Sequence, residues 1–289
     1  MNLSGSGGVL IENFEVDFPR IYAGENFKIE MRIRNEGLID AMNVQPVLYN
    51  IESGTYDAEL SCEISEMCRL DPTLVGIDPD SGTTGESITC IWDCKAPLNI
   101  QKGLSVTFNP SVRLYYFYKT SVVKSINLVS QNELRSIEAQ GKTLPSETMS
   151  KSIGPVSLDV IVNGPIRYWE DISDGKVKFP ININIQNIGG GTVFHPMSAD
   201  FKDSNDWNKV LLKFRNTAEN VNLLCNDQMT TEMEVDLWKG SATTLVCEVE
   251  ITNLRQASAA VTKNLRFTAD YGYFIDNSVQ VEVVGRDTN

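Results

Sequence analysis

Residues 26–35 read NFKIEMRIRN, and an apolar side chain occupies every second position from Phe27 to Ile33. Such alternation is typical of a half-buried β-strand, because successive side chains of a strand point to opposite faces. A related stretch, VKFPININIQN, occupies 177–187. Further strand candidates are SITCIWDC at 87–94, GLSVTFNPSVRLYYFYK at 103–119, VVKSINLV at 122–129, TTLVCEVEITN at 243–253, NLRFTADYGYF at 264–274 and VQVEVVG at 279–285. The sequence therefore predicts an all-β fold.

Short landmarks recur in the same order in the two halves of the chain, which indicates a tandem duplication. The pairs are FPRIY at 18–22 with GPIRY at 164–168, IRNEG at 33–37 with IQNIG at 185–189, ITC at 88–90 with LVC at 245–247, and YFY at 116–118 with YGY at 271–273. We predict two tandem immunoglobulin-like antiparallel β-sandwich domains joined by a short helix and linker. Their predicted bounds are 9–130 and 154–285, with the helix and linker at 131–153, a flexible leader or cloning scar at 1–8 and a tail at 286–289.

The segment SQNELRSIEAQG at 130–141 differs from the strand pattern. Ser130 precedes Glu133 by three residues, which is the spacing of a helix-capping box, and Gly141 suits the position after a helix end. The sequence therefore predicts a helix at 131–140, followed by the polar linker KTLPSETMSKSIGP.

The six cysteines follow the repeat. Cys68 and Cys90 are 22 positions apart. Cys225 and Cys247 have the same separation, so the two pairs occupy equivalent places in the two copies. The two remaining cysteines flank the first pair, and antiparallel strands would nest one bridge inside the other. We predict the disulfides Cys68–Cys90, Cys62–Cys94 and Cys225–Cys247, from the 15 connectivities that six cysteines allow.

Zinc is the main alternative for the cysteines. Structural zinc sites pair their ligands at short spacings, and only the C-x3-C half around Cys94 fits, whereas the other half is C-x5-C. Buried free thiols are a further alternative, while the C-x-x-C spacing of redox dithiols is absent. Disulfides predict an oxidising compartment, hence an extracellular or cell-surface location with an export signal or anchor absent from this sequence.

Charge and hydropathy restrict the partners. Lys and Arg total 25 against 38 Asp and Glu, and the net charge of −13 argues against nucleic acid as a partner. The apolar runs are only a handful of residues long, far below the roughly 20 that span a bilayer. We therefore expect no membrane insertion within this chain and expect protein partners or self-assembly.

Motifs for catalysis are weak. The chain has one histidine, His195, and no G-x-S-x-G elbow accompanies it, so we predict a structural histidine and no enzyme activity. The turns DPDSGTTGE at 78–86 and EDISDG at 170–175 contain carboxylates that suit calcium, although neither matches an EF-hand loop. Solvated turns without a cofactor are the prediction, and calcium is the alternative.

Aromatic side chains mark candidate ligand or interface positions. RLYYFYK at 113–119 places Tyr116 and Tyr118 on one strand face, and Tyr271 and Tyr273 are their repeat counterparts. One face of such a strand is expected in the core and the other in partial contact with solvent, where tyrosines bind sugars or a neighbouring subunit. VQVEVVG at 279–285 is a candidate edge strand that accepts or donates a strand in assembly.

The stretch AGENFKIEMRIRNEGLIDAMNV resembles the CARDB-type and NEW3-type modules of archaeal and bacterial surface proteins. The features that carry the resemblance are Gly24, Glu25, Ile29, Met31, Ile33, Asn35, Gly37, Ala41, Asn43 and Val44. In the second copy the strand and Asn187-x-Gly189 remain, but the Ala-x-Asn-Val segment is lost. The resemblance implies immunoglobulin-fold spacers or adhesion units without catalytic activity.

The resulting functional hypothesis is a non-catalytic structural, filament or adhesion subunit of a prokaryotic cell envelope, with an archaeal source. A glycan-binding or peptide-binding module that uses Tyr116 and Tyr118 is the first alternative. An accessory domain of a secreted enzyme is the second.

Overall fold

The computed structural model describes residues 7–53, 58–69, 72–169, 175–198, 200, 202–215, 220–226, 228–252 and 260–286. Within these ranges the chain is mostly β-strand, which confirms the predicted all-β class. The strands are β1 Val9–Val16, β2 Arg20–Tyr22, β3 Asn26–Asn35, β4 Met42–Tyr49, β5 Glu52–Ser53, β6 Ala58–Glu59, β7 Ser61–Ile64, β8 Ser87–Lys95, β9 Ser105–Phe108, β10 Ser111–Ser130, β11 Met149–Lys151, β12 Val156–Val162, β13 Ile166–Tyr168, β14 Val177–Asn187, β15 Thr192–Phe194, β16 Lys209–Arg215, β17 Val221–Cys225, β18 Gln228–Met229, β19 Glu232–Asp236, β20 Ala242–Ile251, β21 Val261–Ser278 and β22 Val281–Val284. The helices are α1 Glu66–Arg69, α2 Gln131–Ala139 and a 3-10 helix at Ser204–Asp206. No helix in the described ranges is long and apolar enough to cross a bilayer.

The chain packs as two compact units that are not sequential. The first unit comprises Met1–Tyr118, Gly189–Thr192 and Gly272–Asn289, and the second comprises Lys119–Ile188 and Val193–Tyr271. This division differs from the predicted domains at 9–130 and 154–285, because 119–130 lie in the second unit and 272–285 lie in the first. The physical reason is strand length: β10 has 20 residues and β21 has 18, and each begins in one unit and ends in the other.

The first unit is built around β3. This strand pairs with β1 on one side and β8 on the other, and β7 adds beyond β8. Phe27, Ile29, Met31 and Ile33 alternate into the core and are at most 2% exposed, so the period-2 pattern reports the buried face correctly. The first half of β10 pairs with β4, from Ser111 opposite Tyr49 onward.

A three-stranded sheet in the order β2-β22-β9 completes the first unit. β22 runs parallel to β2 and antiparallel to β9. The segment VQVEVVG, predicted as an edge strand, therefore supplies the central strand of its sheet. An edge and a short central strand show the same period-2 pattern in sequence, so only long-range pairing distinguishes them.

The second unit contains the sheet β12-β14-β20-β17-β18. Ile181, Ile183 and Ile185 of β14 point into its core and are at most 1% exposed. The end of β10 pairs with β11 antiparallel and with β13 parallel, and β16 lies between β19 and β21.

The two copies use their first landmark in the same way. FPRIY contains β2, which pairs in parallel with β22, and GPIRY contains β13, which pairs in parallel with the end of β10. In each case the parallel partner comes from the segment that the sequence assigned to the other domain. Within this one chain, the last strand segment of each sequence repeat therefore pairs with a short strand of the other repeat.

The helix prediction is confirmed. α2 spans Gln131–Ala139, the Ser130 hydroxyl accepts a hydrogen bond from the Glu133 amide at 3.1 Å, and Gly141 takes φ of +66° after the helix end. The segment predicted as a linker is not entirely irregular, because Met149–Lys151 forms β11 against β10.

Asn35 and Gly37 support one loop in a way the sequence did not predict. The Asn35 side chain is fully buried, donates to the carbonyls of Ile39 and Leu74 at 2.8 and 2.9 Å, and accepts from the Gly37 amide. Close packing requires glycine at position 37, because a Cβ there would clash with the Tyr118 hydroxyl.

Candidate functional site

An exposed apolar surface lies on the three-stranded sheet of the first unit. We call it the Tyr22 surface and define it by Tyr22, Leu98, Leu104 and Val284. Tyr22 and Val284 are register partners on β2 and β22, and the Leu104 carbonyl accepts a hydrogen bond from the Gly285 amide at 2.9 Å. Leu98 packs over Gly24, where a Cβ would clash with its side chain.

Strand alternation explains why Tyr22 and Val284 face solvent, whereas Leu98 and Leu104 lie outside strands, in the connection between β8 and β9. β2 buries Ile21 and exposes Tyr22, and β22 buries Val283 and leaves Val284 partly exposed. Tyr22, Leu98 and Leu104 are 54%, 58% and 40% exposed. The pairing of β2 with β22 and the Leu104–Gly285 hydrogen bond bring these exposed side chains into one region, which is a candidate interaction surface.

Charged groups border the Tyr22 surface. Arg20 and Glu282 form an ion pair at 3.4 Å on neighbouring strands, and the Glu25 carboxylate accepts from the Tyr22 amide at 2.9 Å. The Arg286 guanidinium lies on the same side as Leu98, close to Gly24. An apolar centre with a charged rim is the usual composition of a protein interface.

The second unit also exposes large apolar side chains. Ile161, Asn182 and Val246 form one cross-strand row on the outer face of its sheet, with Ile161 48% and Val246 68% exposed. Trp238, at 74%, lies in a turn and has the Lys239 ammonium 5.8 Å from its ring centroid. The polar Asn182 separates the two apolar members of the row.

The four tyrosines proposed as ligand or interface residues are core residues. Tyr116, Tyr118, Tyr271 and Tyr273 are at most 2% exposed, so they do not offer a surface for sugar stacking. On the opposite face Tyr115 is also only 3% exposed, whereas Phe117 is half-buried. The tyrosines chosen as candidate ligand residues therefore lie on the core face of the strand rather than on the partly exposed one.

The hydroxyls of Tyr118, Tyr271 and Tyr273 each accept a hydrogen bond from a backbone amide. Tyr118 accepts from the Ile39 amide at 3.2 Å, and Tyr273 accepts from the Gly191 amide at 2.8 Å. Tyr271 lies 2.9 Å from the Thr120 hydroxyl and accepts from the Val156 amide at 3.3 Å. Burial raises the pKa of Tyr118 to about 12; its bond from Ile39 acts in the opposite direction and the Asp40 charge adds to the increase.

The structure joins Cys62 to Cys94, Cys68 to Cys90 and Cys225 to Cys247, which are the three predicted pairs. Their settings differ from the expectation. Cys62–Cys94 and Cys225–Cys247 each link directly opposite residues of adjacent strands, whereas Cys68 lies in the α1 turn. The two bridges with the same sequence separation of 22 therefore have different local geometries.

His195 lies beside a serine and an aspartate without forming a triad. Its Nδ1 accepts from the Met197 amide at 3.2 Å, and its Nε2 lies 3.4 Å from a Glu234 oxygen. The Ser198 hydroxyl donates to the Asp206 carboxylate at 2.6 Å rather than to the imidazole. A triad needs the imidazole as the partner of the hydroxyl, so this geometry lacks the nucleophile–base contact.

Only one of the two carboxylate turns lies fully within the described residues. In the turn at 78–86, Asp78 accepts from the Asp80 amide and the Ser81 hydroxyl at 3.0 and 2.8 Å, and these bonds lower its pKa. Residues 170–174 of the other turn lie outside the described ranges. Among the described residues, no group of three or more His, Cys, Asp or Glu side chains is placed to hold a metal ion.

Sequence reasoning missed a cluster around Arg113. Its guanidinium donates to both Asp276 oxygens at 2.7 and 2.8 Å and stacks 4.2 Å from the Phe274 ring centroid. Burial raises the pKa of the neighbouring Tyr49, and the Asp276 charge adds to the increase. The 163-residue separation of Arg113 and Asp276 left no local signal for this pair.

No protein-family model matches the chain, and no curated protein matches it. Solved structures give low-scoring likenesses. The secreted serine protease VesC from Vibrio cholerae matches with 8% identity and a TM-score of 0.23, over 97% of this chain and 52% of that one. The CupB6 tip adhesin from Pseudomonas aeruginosa matches with 7% identity and a TM-score of 0.18, over 97% and 96% of the two chains. The collagen adhesin CNA from S. aureus matches with 9% identity and a TM-score of 0.14, over 99% and 94%.

This chain thus spans about half of the VesC chain that it matches. TM-scores of this size do not assign a function, so the functional argument depends on the chain's own residues.

Proposed function

We propose that this chain is a non-catalytic structural or adhesion subunit that works outside the cell by binding proteins, copies of itself included. The Tyr22 surface is the observation that carries the proposal. It presents Tyr22 of β2, and Leu98 and Leu104 of the connection between β8 and β9, to solvent on a disulfide-containing unit. An apolar surface on a sheet suits contact with another protein better than enclosure of a small molecule, which needs a concave site.

The cysteines and the charge support the extracellular part of the proposal. Three disulfides are expected to persist only in an oxidising compartment. The net charge of −13 favours solubility and disfavours polyanionic partners. The CARDB-like and NEW3-like resemblance points in the same direction and stays a prediction, as does the prokaryotic source.

The alternatives have less support from the described residues. A glycan site was expected at Tyr116 and Tyr118, and both side chains are in the core. An accessory role in a secreted enzyme has no residue that favours it over protein binding.

The test compares two surfaces of similar character. Tyr22→Ser combined with Leu98→Ser removes apolar area from the Tyr22 surface, and Trp238→Ser removes an even more exposed aromatic side chain from the second unit. We expect sedimentation velocity of the concentrated wild-type protein to show association, which weakens in the double variant and persists in Trp238→Ser. A wild-type protein that stays monomeric, or a double variant that associates as well as the wild type, would contradict the assignment of this surface.

A further inference from the structure

β22 is the central strand of its sheet, and its removal would leave a groove between β2 and β9. β2 and β9 do not pair with each other, and Val281–Val284 lies between them with partners on both sides. Its parallel partners are Arg20–Tyr22, and its antiparallel partners run from Ser105 to Phe108. Without β22, both neighbouring strands would present unpaired backbone groups.

The groove between β2 and β9 encloses every second side chain of the 281–285 segment. Val281 and Val283 are fully buried, together with Ile21 and Phe108, which are at most 4% exposed. The next inward position is Gly285, where a Cβ would clash with the Gln101 carbonyl. The groove thus accepts Val-x-Val-x-Gly, with two apolar pockets and one position that has no room for a side chain.

Backbone hydrogen bonds beyond the ladder hold both ends of the segment. The amide of Val279 donates to the Pro110 carbonyl, and the amide of Glu282 donates to the Pro19 carbonyl, each at 2.9 Å. At the other end, the Ala23 amide donates to the Val284 carbonyl at 2.9 Å. These partners lie at 19–23 and 110, so within the first unit the segment 279–285 is held by backbone groups that are far from it in sequence.

We propose that the β2–β9 groove accepts the 279–285 segment of a second copy, so that copies join by exchanging β22. The inference rests on the proposed function because it names the partner of the proposed assembly. An exchanged strand makes the same hydrogen bonds and fills the same pockets, so exchange needs no new contact. Within one chain the tethered segment has an effective concentration of the order of millimolar. Exchange between chains therefore competes with the intrachain pairing only where the chains are concentrated to a similar level.

The test traps the exchanged strand between full-length chains. Thr107 and Glu282 are register partners on β9 and β22, and Thr107 is exposed. Thr107→Cys protein carrying an isotope label is mixed at high concentration with unlabelled Glu282→Cys protein and mildly oxidised. We expect a covalent dimer in which mass spectrometry finds a 107–282 link between labelled and unlabelled chains.

A matched control distinguishes strand exchange from crosslinking by random collision of two chains. Asp93→Cys replaces Thr107→Cys in the matched control, because Asp93 is exposed on β8, a strand that does not pair with β22. A yield of 107–282 dimer several-fold above the 93–282 yield supports exchange, and equal yields would overturn it. Excess synthetic peptide 277–289 should reduce the dimer, whereas the peptide with Val281→Asp and Val283→Asp should not.

The double variant Thr107→Cys/Glu282→Cys in one chain checks that this pair can close. If it does not close, Arg20→Cys with Glu282→Cys replaces it, since those side chains are ion-paired across β2 and β22 at 3.4 Å. Failure of strand exchange is distinguishable from failure of the proposed function. Association that depends on Tyr22 and Leu98 but yields no interchain link would retain the protein-binding role and reject exchange.

Discussion

At the residue scale, burial decides the role of side chains that the sequence presents as alike. Tyr22 and Tyr118 are both strand tyrosines, yet one is 54% exposed and the other 2%. Tyr22 ends a short strand at a sheet surface, whereas Tyr118 lies over Gly37 and supports the Ile39 amide. Tyr118, which the sequence indicated as a candidate ligand residue, is structural. Tyr22, which the sequence did not indicate, lies on the candidate interaction surface.

Tyr118 should make stability depend on alkaline pH. Its pKa of about 12 in the folded chain exceeds the ordinary 10.0, so the fold favours the neutral phenol. The contribution is fully present below pH 10.0, is lost as pH rises through about 12, and amounts to about 3 kcal/mol for a shift of this size. Urea unfolding across this pH range measures it.

Tyr118→Phe is the matched control, because it keeps the ring and removes the titrating hydroxyl. The fall in unfolding free energy above pH 10.0 should be shallower in the variant, and the late-ionising tyrosine absorbance should disappear. Equal pH slopes in the two proteins would show that Tyr118 is not the group responsible.

At the element scale, the cysteines brace individual sheets. Cys225 and Cys247 are opposite residues of β17 and β20, and Cys62 and Cys94 are opposite residues of β7 and β8. These bridges therefore stabilise the pairing of neighbouring strands within a sheet. The antiparallel register inferred from Cys62 and Cys94 was correct, and Ile64 lies opposite Trp92 as that register requires.

Removal of the bridge in the second unit should be costly. Cys225→Ala with Cys247→Ala opens a loop with a sequence separation of 22, and the loop-entropy model gives a loss of about 3 kcal/mol in unfolding free energy. Urea unfolding under non-reducing conditions measures the loss. Thr244→Ala, an exposed change on the same strand, should shift the midpoint little.

Alkylation before and after reduction checks the premise of this experiment. The native protein should take up no label on its cysteines, and the denatured, reduced protein should take up six. Labelling of six thiols in the native state would remove both the stabilising role and the argument for an oxidising compartment.

At the scale of the whole molecule, unit membership departs from chain order. Val283 belongs to the second repeat in sequence but is buried in the first unit, and Val129 belongs to the first repeat but is buried in the second unit. Each valine lies in a strand that pairs in parallel with a short Pro-flanked strand, β2 or β13.

The matched variants Val283→Ala and Val129→Ala test this division. Each should cost about 2 kcal/mol, because a fully buried methyl-bearing side chain is truncated. Hydrogen exchange followed by mass spectrometry should show faster exchange at 20–22 and 105–108 in Val283→Ala, and at 166–168 in Val129→Ala. Faster exchange at 166–168 in Val283→Ala, and at 20–22 and 105–108 in Val129→Ala, would instead support the sequential domains 9–130 and 154–285.

The sequence by itself determined the strand content, the helix capped by Ser130, the cysteine pairs and the acidic surface, because each depends on spacing or composition over short stretches. Tertiary structure decided the burial of Tyr116 and Tyr118, the central place of β22 and the unit to which each half of β10 and β21 belongs. The physical reason is that period-2 alternation shows which side chains share a face but not which distant strand covers that face. That choice depends on the free energy of long-range packing and backbone pairing, to which sequence-distant segments such as 18–23 and 279–285 contribute together.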